Sequence, residues 1–369
     1  MLLWIAIAVW LYLTLRVIRR LPIGPWRIAL SLALLALLRH HWLTDLVWGS
    51  MFSLELPRPV VIAVNWLFAG AVLFAIFHAL ADVLALALSA FRRRMARVPA
   101  GVGVALAVAG FGVSGYAVSS AIRVPEVKEI EVEIADLPPA FEGYRFVHLT
   151  DLHVSRLFDA RWVEDLVRRV DDLTPDMIVV SGDVIDGTPE RRVADVAPLA
   201  DLRAPDGIFF IAGNHEYYFG FERWMERLGA PGWRSVVNRH EVVARDGAQL
   251  VIAGVADTVA DRFGLPGPDL GTALGGAPDA PVILLQHRPE GAAANAAAGV
   301  DLQLSGHTHG GMMIGFDRLV ANANEGFVSG VYPIGAMTLY VSNGTALWPG
   351  FAYRLFVPPE LTRVTLRAR

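Results

Sequence analysis

The chain has 369 residues, 54% of them apolar, and a formal net charge of −4. It contains no cysteine, which excludes disulfides, thiolate metal sites and a cysteine nucleophile. The negative charge argues against nucleic acid as a partner, because phosphate backbones are held by clustered Lys and Arg.

The apolar excess is unevenly spread. Residues 1–122 hold ten Arg, no Lys and only three acids, Asp45, Glu55 and Asp82. The rest of the chain therefore holds 22 basic and 33 acidic residues. The sequence reads as two materials: a helical membrane region over 1–124 and an acidic domain over 125–369, long enough to bury its own core.

Four apolar stretches stand out in the first part: Leu2–Val17, Ile28–Trp48, Val60–Leu88 and Val102–Ile122. Crossing ~30 Å of hydrocarbon takes ~20 residues, so the pattern predicts about four transmembrane helices. The first is short and competes with a signal peptide, but no small-residue cleavage site follows it. The third is long enough to tilt, or to break near Ala81–Asp82. A buried soluble helical domain is the alternative for the whole block. Arg16, Arg19, Arg20 and Arg27 flank the first connection, and Arg92, Arg93, Arg94 and Arg97 crowd the third. The second has only Arg39 and Arg58 beside Asp45 and Glu55. Positive-inside bias then puts the first and third loops in the cytoplasm and the C-terminal domain outside it, in a multi-pass cell-membrane protein. His78 and Asp82 lie one helical turn apart, either as a functional intramembrane pair or as polar residues facing the bundle interior.

From Glu129 onward, short β-like runs alternate with polar turns. Tyr144–Thr150 leads into Asp151-Leu-His153, and Met177–Val180 into Ser181-Gly-Asp183-Val-Ile-Asp186. Ile208–Ile211 leads to Gly213-Asn214-His215-Glu216, Val282–Leu285 to Gln286-His287, and Asp301–Leu304 to Ser305-Gly-His307-Thr-His309. Between the first two runs, Trp162, Leu166 and Val170 have helical spacing over 161–171. The class is α/β, and in such sheets the C-terminal strand ends converge on one rim. A single Gly-Asp or His-x-His is commonly a turn or a surface feature. Seven donors each placed after an apolar run are another matter: Asp151, His153, Asp183, Asn214, His287, His307 and His309. They suffice for two divalent ions with one bridging carboxylate, and imidazole plus carboxylate suits Mn, Fe or Zn.

These blocks, in this order, resemble the calcineurin-like metallophosphoesterase superfamily, whose pattern is D-x-H, G-D-x-x-D, G-N-H-[ED], a lone His and G-H-x-H. DLH, GDVID, GNHE, QH and GHTH fill every position between 151 and 309. The GHTHGG and SNGT stretches are similar to the bacterial membrane-associated branch of YkuE- and YaeI-type phosphodiesterases. The resemblance implies a four-layer αββα sandwich with two sheets inside. It implies one metal on Asp151, His153 and His309, a second on Asn214, His287 and His307, and Asp183 bridging them. His215, oriented by Asp186, would sit near the leaving group without ligating. The implied activity is hydrolysis of a phosphomonoester or phosphodiester by in-line attack of a metal-bridging hydroxide. A lipid or lipid-linked phosphate is a natural substrate for a tethered domain, with a lipid A pathway UDP-sugar-lipid pyrophosphatase as the sharper variant. A non-catalytic membrane sensor keeping a relic domain is the competing class.

Arg156 and Arg288 are further candidates for gripping a substrate phosphate, against surface or salt-bridged roles. Glu216 and Tyr217 read as structural, and Trp162 and Trp224 as core-facing. Beyond residue 340, Ser342-Asn-Gly and the strand-like Leu361–Leu366 run are expected to close the second sheet.

Overall fold

Backbone hydrogen bonding resolves the apolar stretches differently from their composition. The structure is a computed structural model that describes residues 2–92 and 98–369. Arg93, Arg94 and Arg97 of the positively charged loop lie outside the described residues. The first stretch forms α1 (Leu2–Arg16), whose 15 residues span only about 22 Å at the helical rise. The second breaks at Arg39, which leaves helical geometry at φ −108°, ψ 16° and separates α2 (Trp26–Leu38) from α3 (His40–Trp48). The third and fourth are α4 (Arg58–Arg92) and α5 (Ala100–Ile122). Among the described residues, only α4 and α5 are long and apolar enough to cross a membrane. The expectation of about four spans is therefore corrected to two candidate spans by length and composition, because one stretch is too short and another is interrupted.

The chain forms two compact units. The first comprises Met1–Ser120 together with Pro349–Tyr353, the second Ala121–Trp348 with Arg354–Arg369. Within the first, α4 runs through Ala81–Asp82 without a break. Asp82 accepts hydrogen bonds from Arg16 Nε and the Tyr12 hydroxyl, both at 2.8 Å, and His78 Nδ1 stands 3.6 Å away. The acid is thus neutralised between α1 and α4, a structural use of an expensive charge. Gly110 lets α5 approach α4 closely: a Cβ there would lie 2.9 Å from the Phe74 nitrogen. Buried Asn65 holds the returning segment by both ends, donating to Pro349 O (2.7 Å) and accepting from Ala352 N (2.8 Å).

The second unit carries twelve strands in two six-stranded sheets. The first sheet uses β1 (Val127–Ile134), β2 (Arg145–Leu149), β3 (Met177–Ser181), β4 (Ile208–Ile211) and β5 (Arg234–Ser235). The second uses β6 (Arg239–Arg245), β7 (Ala248–Gly254), β8 (Val282–Leu285), β9 (Leu302–Ser305), β10 (Gly330–Ile334) and β11 (Met337–Val341). The last strand, β12 (Leu361–Ala368), sits between β1 and β2, so the order is β1-β12-β2-β3-β4-β5 beside β10-β11-β9-β8-β7-β6. This corrects the expectation that Leu361–Leu366 closes the second sheet. Val364 and Leu366 alternate inward beside Val132, Ile134 and Phe146, which places the strand in the first sheet.

Both sheets are mixed. β2, β3 and β4 run parallel, as do β7, β8, β9 and β11, while β6 and β10 form antiparallel edges. Their inner faces share one core, in which Phe146, Val179 and Phe209 meet Ile252, Ile283 and Leu304. Period-2 alternation turns Val251, Ala253 and Leu284 to the other face of the second sheet, where they pack with Ala273 of the helix Leu270–Leu274 and Ala292 of the helix Ala292–Ala297.

α6 (Ala160–Asp171) is amphipathic. Asp159 caps it by accepting from Trp162 N, and Trp162, Leu166 and Val170 are buried along one stripe. α7 (Pro189–Val196), α8 (Asn214–Tyr218) and α9 (Phe221–Gly229) follow, and Trp224 of α9 is fully buried. Both tryptophans are core-facing, as their spacing indicates. The candidate donors all emerge from the C-terminal ends of β2, β3, β4, β8 and β9.

Candidate metal centre

Five strand ends deliver their side chains into one buried region. Asp151, His153 and His309 bring ligand atoms within 4.8 Å of one another, as do Asp183, His287 and His307. A third such group, His153, Asp186 and His215, joins them. Asp183 Oδ2 lies 3.2 Å from His287 Nε2 and 3.9 Å from His153 Nε2, so one carboxylate faces both clusters. Asn214 opens α8, and its Oδ1 meets Arg288 (3.3 Å), whose guanidinium also touches His307 Nε2 (3.0 Å).

The backbone is bent sharply to achieve this. Asp151, His153, Asp183, His307 and His309 all have left-handed φ values, between 44° and 65°. Such residues cost of order 1–3 kcal/mol each and persist only where their surroundings fix them. Glu216 does much of that fixing: its buried carboxylate accepts from Asp183 N (3.0 Å), Val184 N (2.7 Å) and Gly213 N (2.7 Å). Burial and the Asp183 charge push the Glu216 carboxyl up to about 7. Asp151 in turn accepts from the Thr150 hydroxyl and from His307 N. Gly344, at φ 79°, packs so closely that a Cβ would lie 2.9 Å from Asp151 Cβ and 3.0 Å from His309 Nδ1.

Several polar atoms here are buried without a hydrogen-bond partner: both ring nitrogens of His153, His287 Nε2, His309 Nδ1 and Asp186 Oδ2. Buried polar groups are normally satisfied, so such a cluster calls for ions. His153, His287 and His309, moreover, each offer a bare nitrogen, while His307 Nε2 faces Arg288. His287 Nδ1 donates to the Ser181 carbonyl (2.8 Å), which leaves Nε2 as the acceptor facing Asp183. Burial holds His309 down at about 3, in the neutral form that ligates metal. Burial also opposes charge on His287, but the Asp183 carboxylate wins and lifts it to about 9. A proton there stands where a cation would. The donor set therefore fits two divalent ions, and their identity is not set by imidazole and carboxylate alone.

His215 is placed differently. Its Nδ1 contacts Asp186 Oδ1, its backbone N–H donates to Asp183 Oδ1 (2.8 Å), and its Nε2 stays 3.8 Å from Asp183 Oδ2. Asp186 also comes within 3.2 Å of His153 Nδ1, out of line for a hydrogen bond. Arg288 is anchored by buried Asp257, at 3.2 and 3.0 Å from its two oxygens, and is close enough to meet a ligand of the cluster. Arg156 is instead 46% exposed and 3.9 Å from Asp195.

Two supporting residues carried no signal in the sequence. Arg354 is fully buried and donates to His309 O, Asn343 O, Gly344 O and Ala346 O. Asp257 holds Arg288 and also caps the short helix Thr258–Phe263 through Val259 N. An arginine within Gly-Phe-Ala-Tyr-Arg and a lone aspartate have no spacing that marks them as site residues.

A calcineurin-like phosphoesterase family model matches residues 144–311. A zebrafish transmembrane protein with metallophosphoesterase domain is 30% identical over 97% of this chain and 86% of its own length. The chain belongs to the calcineurin-like phosphoesterases, and with them to the phosphoric ester hydrolases. An uncharacterized metallophosphoesterase of Campylobacter jejuni is 34% identical over 68% of this chain and 66% of its own. The metallophosphoesterase YkuE of Bacillus subtilis is 29% identical over 75% of this chain and 98% of its own, which puts the chain in that branch.

Proposed function

We propose that residues 125–369 form a dinuclear-metal phosphoesterase held at a membrane by residues 1–124, acting on a phosphodiester or phosphomonoester. The observation that carries this reading is the convergence of buried, unpartnered imidazole nitrogens and carboxylates around Asp183. Asp151, His153 and His309 would hold one ion, and Asn214, His287 and His307 the other, with Asp183 shared. When bound, two such ions activate water and neutralise phosphoryl oxygens.

The chain's own residues do the rest. Water adds its oxygen to phosphorus and gives up a proton to solvent, the bond from phosphorus to the ester oxygen breaks, and the departing alkoxide takes the electron pair. His215 Nε2 supplies a proton to that oxygen, with Asp186 on Nδ1 fixing the ring. Arg288, held by Asp257, reaches Asn214 and His307 and is a cation suited to gripping a phosphoryl oxygen.

The test is manganese-supplemented hydrolysis of bis-p-nitrophenyl phosphate by the detergent-purified chain beside His215→Ala. The wild type should turn over. The variant should keep its metal and lose about 10²–10⁴-fold in kcat, the range for a general acid. A variant as active as wild type, or a wild type with neither metal nor turnover, would overturn the assignment.

Sidedness follows from the helices that remain as spans. If α4 and α5 cross the membrane, the Arg-rich loop 92–97 between them is cytoplasmic and the catalytic unit lies on the opposite face. Dropping from four spans to two leaves this unchanged, because both counts place the same loop before α5. A lipid or lipid-linked phosphate is the substrate class such a tether favours. Since the chain has no cysteine, Asp279→Cys provides one exposed label site. A membrane-impermeant maleimide should label it in intact cells; labelling only after lysis would reverse the topology.

A further inference from the structure

Aromatic rings lie beside His215 of the candidate centre. Tyr218 follows His215 by three residues on α8, so both occupy one face of the helix. Their ring centroids are 5.5 Å apart. Phe263, at the end of the short helix Thr258–Phe263, lies 6.1 Å from Tyr218, with the rings inclined at 48°. Both rings are open to solvent, Phe263 at 47% and Tyr218 at 37%, although large aromatics are ordinarily buried.

This wall has a common support. Asp257 caps the helix that presents Phe263, and the same carboxylate holds Arg288 against Asn214 and His307. Arg288 and Phe263 therefore share one anchor, Asp257.

We infer that Tyr218 and Phe263 form a leaving-group subsite selective for a flat-ringed alcohol, aryl or nucleoside in type. The inference rests on the phosphoesterase reading above. Whatever lies next to the His that protonates the departing oxygen is the group that oxygen belongs to. Tyr218 stands beside His215 and Phe263 beside Tyr218, and a planar ring laid on this exposed pair gains offset or edge contact, about 0.5–1.5 kcal/mol per pair. An acyl chain would gain no such geometric preference, and a small alkyl group would not reach Phe263.

The test separates ring recognition from leaving-group chemistry. Methyl phenyl phosphate and methyl hexafluoroisopropyl phosphate release alcohols of similar acidity, only one of which is flat. The wild-type chain should favour the phenyl ester by about tenfold in kcat/KM, equivalent to about 1.4 kcal/mol. Phe263→Ala should cut that ratio to about threefold with metal content unchanged, since the Tyr218 contact remains, while Tyr218→Phe, which keeps the ring, should retain it. Calorimetry provides a readout independent of turnover: phenylphosphonate should bind more tightly than methylphosphonate, and Phe263→Ala should narrow the difference. A wild type without phenyl preference, or a ratio undiminished by Phe263→Ala, would overturn the inference. If bis-p-nitrophenyl phosphate is hydrolysed in that case, the subsite alone has failed. If no diester is hydrolysed and the two phosphonates bind alike, the hydrolase reading falls with it.

Discussion

Asp183→Asn is expected to reduce turnover of bis-p-nitrophenyl phosphate by at least 10³-fold, equivalent to about 4 kcal/mol of transition-state stabilisation. It should also leave the chain with less than one tightly bound metal. The argument is geometric. Asp183 Oδ2 faces His287 Nε2 at 3.2 Å, His215 Nε2 at 3.8 Å and His153 Nε2 at 3.9 Å, so no other carboxylate among the described residues borders all three imidazoles. Its Oδ1 meanwhile accepts from His215 N and sets the start of α8. Asparagine keeps that acceptor and the size of the side chain, so the fold should survive and the lost charge can be read separately. Burial alone would raise this carboxyl, yet the His215 and His287 imidazoles hold it well below the usual range. The site is built to keep it ionised. Metal analysis beside the kinetic assay decides the matter: a variant holding two ions per chain, or within tenfold of wild-type rate, would show that Asp183 is not shared between them. The contrast with His215→Ala, which should keep metal and lose rate, separates a ligand from a proton donor.

How much of this was legible beforehand depends on the length scale. The rim of donors could be read, because apolar runs ending in Asp, Asn or His recur, and a parallel sheet collects such ends on one side. The left-handed backbone at Asp151, His153, Asp183, His307 and His309 could not, since nothing in DLH or GHTH announces a positive φ at a non-glycine residue. The strain depends on Glu216 and on close approaches such as Gly344 against Asp151, which are contacts between segments far apart in sequence. β12 was misplaced for a related reason. Its alternation identifies a strand, but which sheet it joins depends on the partners of Val364 and Leu366. Among the helices, hydropathy overcounted spans because it does not register the interruption at Arg39 or the shortness of α1.

Arg354→Met is expected to lower unfolding stability by about 3 kcal/mol or more, because several buried carbonyls lose their donor at about 1–3 kcal/mol each. Among the substitutions considered it is the largest stability effect. Burial penalises this guanidinium, pulling its pKa down to about 10. It is nonetheless retained, because it is the donor for a cluster of carbonyls: Asn343 O at 2.6 Å, Ala346 O at 2.9 Å, His309 O at 3.2 Å and Gly344 O at 3.4 Å. Methionine fills similar volume but leaves those oxygens unpaired in a dry interior, where each costs roughly 1–3 kcal/mol. The same carbonyls belong to the loop that presses Gly344 against Asp151 and His309, so the damage should be asymmetric. Metal held by Asp151, His153 and His309 should weaken, while the Asp183, His287 and His307 cluster keeps its shape. Arg354→Lys should recover only part of the loss, because a single ammonium cannot reach acceptors spread over the face of a planar fork. Thermal unfolding of the metal-free chain, followed by stepwise metal titration, reads both consequences. A variant that unfolds within 1 kcal/mol of wild type would show that the loop is held by its chain connections alone, and Arg354 would then be a tolerated charge rather than the clasp of the first metal cluster.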